Sequence, residues 1–120
     1  MVELDLSNQC PHNCPACTGG NNGSSAILDL ELTKNIIDQL AVFTKSIIFA
    51  GGGEPLMHPN FCEILEYSKN KGLELAVITN GNLLNEKKSR TILKTCSWIK
   101  ISVDGGSKEV FQRHHGMDEF

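Results

Sequence analysis

Four short apolar runs, VELDL (2–6), SIIFA (46–50), LELAVIT (73–79) and WIKISVD (98–104), alternate with stretches whose apolar residues recur at helical spacing. Leu32, Ile36, Ile37 and Leu40 mark the first helical face, Phe61, Ile64, Leu65 and Ser68 the second, and Leu84, Lys88, Ile92 and Leu93 the third. A last helix, capped by Ser107, carries Val110, Phe111 and His114. Gly72 reads as the residue that follows a helix end, and Asn85 as a helix start. Strands joined through helices of this length need crossover connections, and crossovers imply a parallel sheet with right-handed connections. The pattern therefore predicts an α/β fold, a parallel sheet of about four βα units in one domain over residues 1–120. The fourth strand has no later element to protect its edge, so the expectation is the front part of a longer domain, or one that a partner completes.

In such folds the loops leaving the carboxyl ends of the strands open on one rim, where ligands bind. The unusual residues all fall on that rim. CPHNCPAC (10–17) follows the first strand, GGGEP (51–55) the second, TNG (79–81) the third, and Ser102, Asp104 and Gly105 close the fourth. In CPHNCPAC the spacing is C-x3-C-x2-C, with no fourth cysteine nearby. Three thiolates hold a metal and leave a position open. Zinc would need His12, His58 or a second chain to complete a tetrahedral shell, whereas a four-iron cluster on three thiolates keeps one iron available to a ligand. The spacing leaves both open. Pro11 and Pro15 stiffen the turn.

Glycine after a strand lets backbone approach a ligand closely, and bare carbonyls in GGGEP could accept hydrogen bonds from an ammonium group beside Glu54. It is not a phosphate loop, because the lysine of G-x-x-x-x-G-K-[ST] is missing. Alternation along the fourth strand puts Ile99, Ile101 and Val103 on one face and Lys100, Ser102 and Asp104 on the other, so the polar face lines a cavity. Plainer readings stand beside these: TNG as an Asn-Gly turn, Gly105 as a turn before the last helix, Cys62 and Cys96 as packed core thiols, and His114 and His115 as solvated. TGGNNGSS (18–25) reads as a mobile loop.

Eleven Lys and Arg against fourteen Asp and Glu give a formal charge of −3, which does not favour nucleic acid as a partner. No apolar run approaches the roughly 20 residues that cross a bilayer, and MVELDLSNQC carries acids where a signal peptide carries bases. Three of five cysteines packed into eight residues suit metal binding in a reducing compartment, so the expected location is cytoplasmic.

Taken in order, C-x3-C-x2-C, GGGEP, TNG and SVDG resemble the radical SAM superfamily, over nearly the whole chain from Val2 to about Gly116. The resemblance implies the first four βα units of a partial (βα)6 TIM-like barrel. It implies a [4Fe-4S] cluster on Cys10, Cys14 and Cys17 whose remaining iron chelates S-adenosylmethionine. Gly52, Gly53 and Glu54 would receive the methionine amino group. Ser102 and Asp104 would contact the ribose or carboxylate, with Asn80 as a neighbour. Reductive cleavage would then give a 5′-deoxyadenosyl radical that takes hydrogen from a substrate the sequence does not name, with electrons from a reductant such as flavodoxin or ferredoxin. Two departures stand out. Ala16 occupies the position before the third cysteine, commonly aromatic or bulky in the family, and the fifth and sixth βα units are absent. The expectation is therefore weak cofactor binding and little turnover by this chain alone. A non-enzymatic zinc- or iron–sulfur-binding module, or an inactive remnant, is the alternative.

Overall fold

A computed structural model describes residues 1–17 and 25–117. The predicted loop over 18–25 lies, except for Ser25, outside the described residues. The elements run β1 (Val2–Leu4), α1 (Leu30–Phe43), β2 (Ser46–Phe49), a 3-10 turn (Pro55–Met57), α2 (Phe61–Asn70), β3 (Glu74–Thr79), α3 (Glu86–Thr95), β4 (Cys96–Ile101) and α4 (Lys108–His115). All strand pairs among the described residues are parallel, in the order β1-β2-β3-β4. The βα alternation of the sequence is thus the topology of the molecule.

Local chemistry sets the helix ends. Asp29 caps α1 by accepting the Leu32 amide (3.0 Å), Asn85 caps α3 by accepting the Lys88 amide (2.9 Å), and the Ser107 hydroxyl accepts the Val110 amide (3.4 Å) in α4. Beyond the end of α2, Gly72 sits at φ +80, a conformation that favours glycine. Ile47, Phe49, Leu75 and Val77 alternate along β2 and β3 and are buried with Ile37, Phe61, Ile64, Leu65 and Ile92 from the helices. Helices α1, α2 and α3 therefore cover one face of the sheet.

Strand β4 ends at Ile101, short of the predicted Asp104. Asp104 adopts φ +50, outside extended backbone, so alternation does not carry through to it. Ile99 packs against the core, but Trp98 (45%), Ile101 (44%) and Val103 (56%) remain exposed along this edge.

The glycines at the end of β2 exist for close approach. A Cβ on Gly53 would stand 2.2 Å from the Ser7 carbonyl oxygen and 2.6 Å from that of Gln9, both backbone atoms of the segment leading to the cysteines. Gly53→Ala is therefore expected to destabilise the fold by about 3 kcal/mol, through overpacking that only a backbone shift relieves. Gly106→Ala, where nothing lies within 4 Å of the added atom, is expected to be neutral or to stabilise by about 0.5 kcal/mol. Urea unfolding midpoints of the two variants check the contrast.

Candidate active site

The ends of β1, β2, β3 and β4 converge on a cleft of about 220 Å³, lined by Cys10, Cys14, Cys17, Glu54, Asn80 and Asp104 among others. Thiol loop and glycine-glutamate turn lie side by side, since the Glu54 amide donates to the Gln9 carbonyl at 2.7 Å. The Gly52 amide donates to Asp5 Oδ2 at 3.2 Å, which ties the turn to the end of β1.

Glu54 is 3% exposed and organises the rim. Its Oε1 accepts the Leu56 amide (3.0 Å) and the Thr79 hydroxyl (2.6 Å), and its Oε2 accepts the Asn80 amide (2.8 Å). One carboxylate thus joins the exit of β2 to the exit of β3. Asn80 extends the chain of contacts by aiming Nδ2 at Cys10 Sγ, 3.5 Å away. The Thr79 hydroxyl also accepts the Gly81 amide (3.0 Å), and Asn80 Oδ1 accepts the Asn82 amide (3.0 Å), so TNG is a turn as well as part of the site.

The three thiols are near enough to feel one another. Burial pushes the Cys10 thiol up, reinforced by the charges of Glu54 and Cys17 and opposed by hydrogen bonds from His12 and Asn80. Cys14 is likewise raised, by burial first and then by Cys10 and Cys17. Such mutual repulsion is relieved when thiolates share a cationic metal centre. Cys10, Cys14 and Cys17 all line the cleft, and the Asn80 side-chain amide is directed at Cys10 Sγ; thiolates with such a donor beside them are the ligand type that an iron–sulfur cluster takes. Cys62 and Cys96 are partly buried against the core and lie outside the cleft lining.

His115 corrects an expectation. Read as solvated, it is 3% exposed, whereas His114 is exposed. Helix α4 turns its carboxyl end onto the cysteine loop: the Asn13 amide donates to the His115 carbonyl (3.0 Å), and Gly116, at φ +65, lies against the Asn13 carbonyl. The His115 ring stacks on Phe111 and meets His12 edge-on. His12, Gly51 and Thr79, which lie in the motifs of the rim, line the cleft, and Ile78 and His115 join them from outside the residues read as part of the site. Gly51 sits next to the chosen glycines, but nothing local marks His115, which reaches the cleft from the far end of the chain. Gly52, in contrast, is not among the residues facing the cleft.

A family model described as the radical SAM superfamily matches residues 4–119. The chain belongs to the radical SAM superfamily. Radical SAM proteins use a [4Fe-4S] cluster and S-adenosylmethionine, and their catalysis needs a reductant. The AdoMet-dependent heme synthase of Methanosarcina barkeri is 31% identical over 98% of this chain and 34% of its own length. The Fe-coproporphyrin III synthase of the same organism is 32% identical over 98% of this chain and 30% of its own. The chain thus spans about a third of the length of these relatives. SuiB of Streptococcus suis, solved with S-adenosylmethionine bound, superposes with a TM-score of 0.84 at 16% identity, over 96% of this chain and 27% of that one. At that identity the likeness is one of fold, and it places the four-stranded sheet in the radical SAM barrel architecture. No helix among the described residues is long and apolar enough to cross a membrane.

Proposed function

We propose that residues 1–120 form the amino-terminal part of a radical SAM enzyme core, an oxidoreductase-type catalyst working in the cytoplasm with electrons from flavodoxin or ferredoxin. Cys10, Cys14 and Cys17 are the cluster ligands in this reading. The turn of Gly52, Gly53 and Glu54 receives the methionine amino group, and Ser102 and Asp104 serve the ribose or carboxylate, with Asn80 between the two sets. The observation that carries it is the double contact of Asn80, whose side-chain amide faces Cys10 Sγ while its backbone amide binds Glu54 Oε2. One residue connects the thiol loop to the glycine-glutamate turn.

Held by Cys10, Cys14 and Cys17 and by the turn of Gly52, Gly53 and Glu54, cluster and cofactor would supply reductive, one-electron cleavage of the sulfonium and through it hydrogen abstraction from substrate. The chain's own contribution is placement. Asn80 directs its Nδ2 at Cys10 Sγ, and a hydrogen bond there would favour added electron density on a cluster that Cys10 holds. Glu54 holds the turn rigid through its three hydrogen bonds, so the glycine carbonyls stay in register with the thiols. Asp104, its side chain exposed beside His115, brings a second carboxylate to the cleft.

Anaerobic reconstitution with iron and sulfide, followed by EPR of the reduced protein, tests the reading. Adding S-adenosylmethionine is expected to shift the cluster signal; an unchanged signal refutes ligation of the cofactor by this chain.

A further inference from the structure

His12, Cys14 and His115 bring one ligand atom each to within 4.8 Å of one another, in a pocket assembled from residues about a hundred positions apart. Cys14 Sγ is 3.6 Å from His115 Nδ1, and His12 Nδ1 is 2.9 Å from the same nitrogen. Tetrahedral zinc, with bonds of about 2.05 Å to nitrogen and about 2.3 Å to sulfur, sets an N–S pair about 3.6 Å apart and an N–N pair about 3.3 Å apart. The first distance already fits, the second needs a small separation of the two imidazoles, and the Cys14–His12 pair, which the 4.8 Å spread of the group bounds, has to settle at about 3.6 Å as the ion draws the three side chains together.

The surroundings of His115 are those of a metal-binding imidazole. Its Nε2 faces the Val103 carbonyl at 3.3 Å and Asp104 Oδ2 at 3.5 Å, the outer partners that fix the tautomer of a ligating histidine. Donation from Nε2 leaves the Nδ1 lone pair directed at Cys14 and His12. Phe111 stacks on the ring with centroids 4.3 Å apart and holds its plane. Both imidazoles are buried, and the cleft they line leaves room for water at a fourth position.

We propose that His12, Cys14 and His115 form a three-ligand zinc site that excludes the iron–sulfur cluster, because both centres need Cys14. On binding, the Cys14 thiol proton leaves to solvent and the His12 proton moves from Nδ1 to the other ring nitrogen, so that one sulfur and two nitrogens face the ion. Zinc held there keeps the cysteine loop in the pose that α4 imposes, and iron must displace it. The exclusion rests on Cys14 as a cluster ligand; zinc binding itself does not.

The test uses the full chain purified without iron under a phosphine reductant, with one equivalent of zinc and X-ray absorption at the zinc edge. A shell of one sulfur with nitrogen or oxygen is expected. Three sulfurs, which would mean Cys10, Cys14 and Cys17 take the ion, overturn the site, as does failure to bind zinc. Cys10→Ser with Cys17→Ser is expected to keep zinc affinity, and His115→Gln to lose at least about 100-fold. The absorption measurement on the unsubstituted chain remains decisive if His115→Gln misfolds. Zinc-loaded chain is expected to resist cluster assembly until a chelator is added. If zinc binds through one sulfur and stays bound while the cluster assembles on the same chain, the exclusion is overturned, and with it the place of Cys14 in the cluster.

Discussion

Cys14→Ala is expected to carry no [4Fe-4S] cluster after anaerobic reconstitution, with the sulfur-to-iron absorption and the EPR signal of the reduced protein both lost. Two remaining thiolates cannot hold three corners of the cluster, and no other cysteine lines the cleft to replace the third. Cys62→Ala and Cys96→Ala are the controls. Both thiols pack against the core outside the cleft, so each change is expected to leave the cluster intact at a cost of about 1 kcal/mol in stability. Iron and labile-sulfide analysis of the three variants separates the cases. A cluster that survives Cys14→Ala would remove this thiol from the ligand set.

The second large effect is expected at Glu54. Glu54→Ala strands three donors at the rim, the amides of Leu56 and Asn80 and the Thr79 hydroxyl. A buried donor left without its acceptor costs about 1–3 kcal/mol, and relaxation or a replacing water reduces the sum, so a loss of about 4 kcal/mol is expected. Against a typical total of about 5–15 kcal/mol, that is a large share. Glu54→Gln discriminates between shape and acceptor number. Its carbonyl oxygen could keep the two bonds made by Oε1, but its NH2 group would face the Asn80 amide, donor to donor. A loss of about 2 kcal/mol is expected. Urea unfolding with an unchanged slope measures both. Equal losses in the two variants would mean that filled volume, not hydrogen bonding, is what Glu54 supplies.

Much of this architecture could be read from residue order because its causes are local. Period-two runs and period-3.6 faces fall on the observed strands and helices, and the caps at Asn85 and Ser107 are where short polar side chains precede apolar helical spacing. The rim was legible for a topological reason: parallel strands put their carboxyl-end loops together whatever those loops contain. The misses are of another kind. Val103 continues the apolar alternation past Ile101, yet the left-handed backbone of Asp104 follows and the strand has already stopped. His115 sits in a polar stretch that locally favours solvent; only the docking of α4 against Asn13 buries it. Glu54 stood out as a charge beside a turn, but its bonds to Thr79 and Asn80 depend on the register of β2 against β3, which no short motif encodes.

The contact between Gly116 and Asn13 has a bearing on biosynthesis. Because the last described helix supplies part of the seat on which the cysteine turn rests, a nascent polypeptide emerging from the ribosome lacks that support until its hundred-odd following residues have been made. The cysteine turn therefore reaches the seated conformation seen here only once α4 has been made and has docked against it.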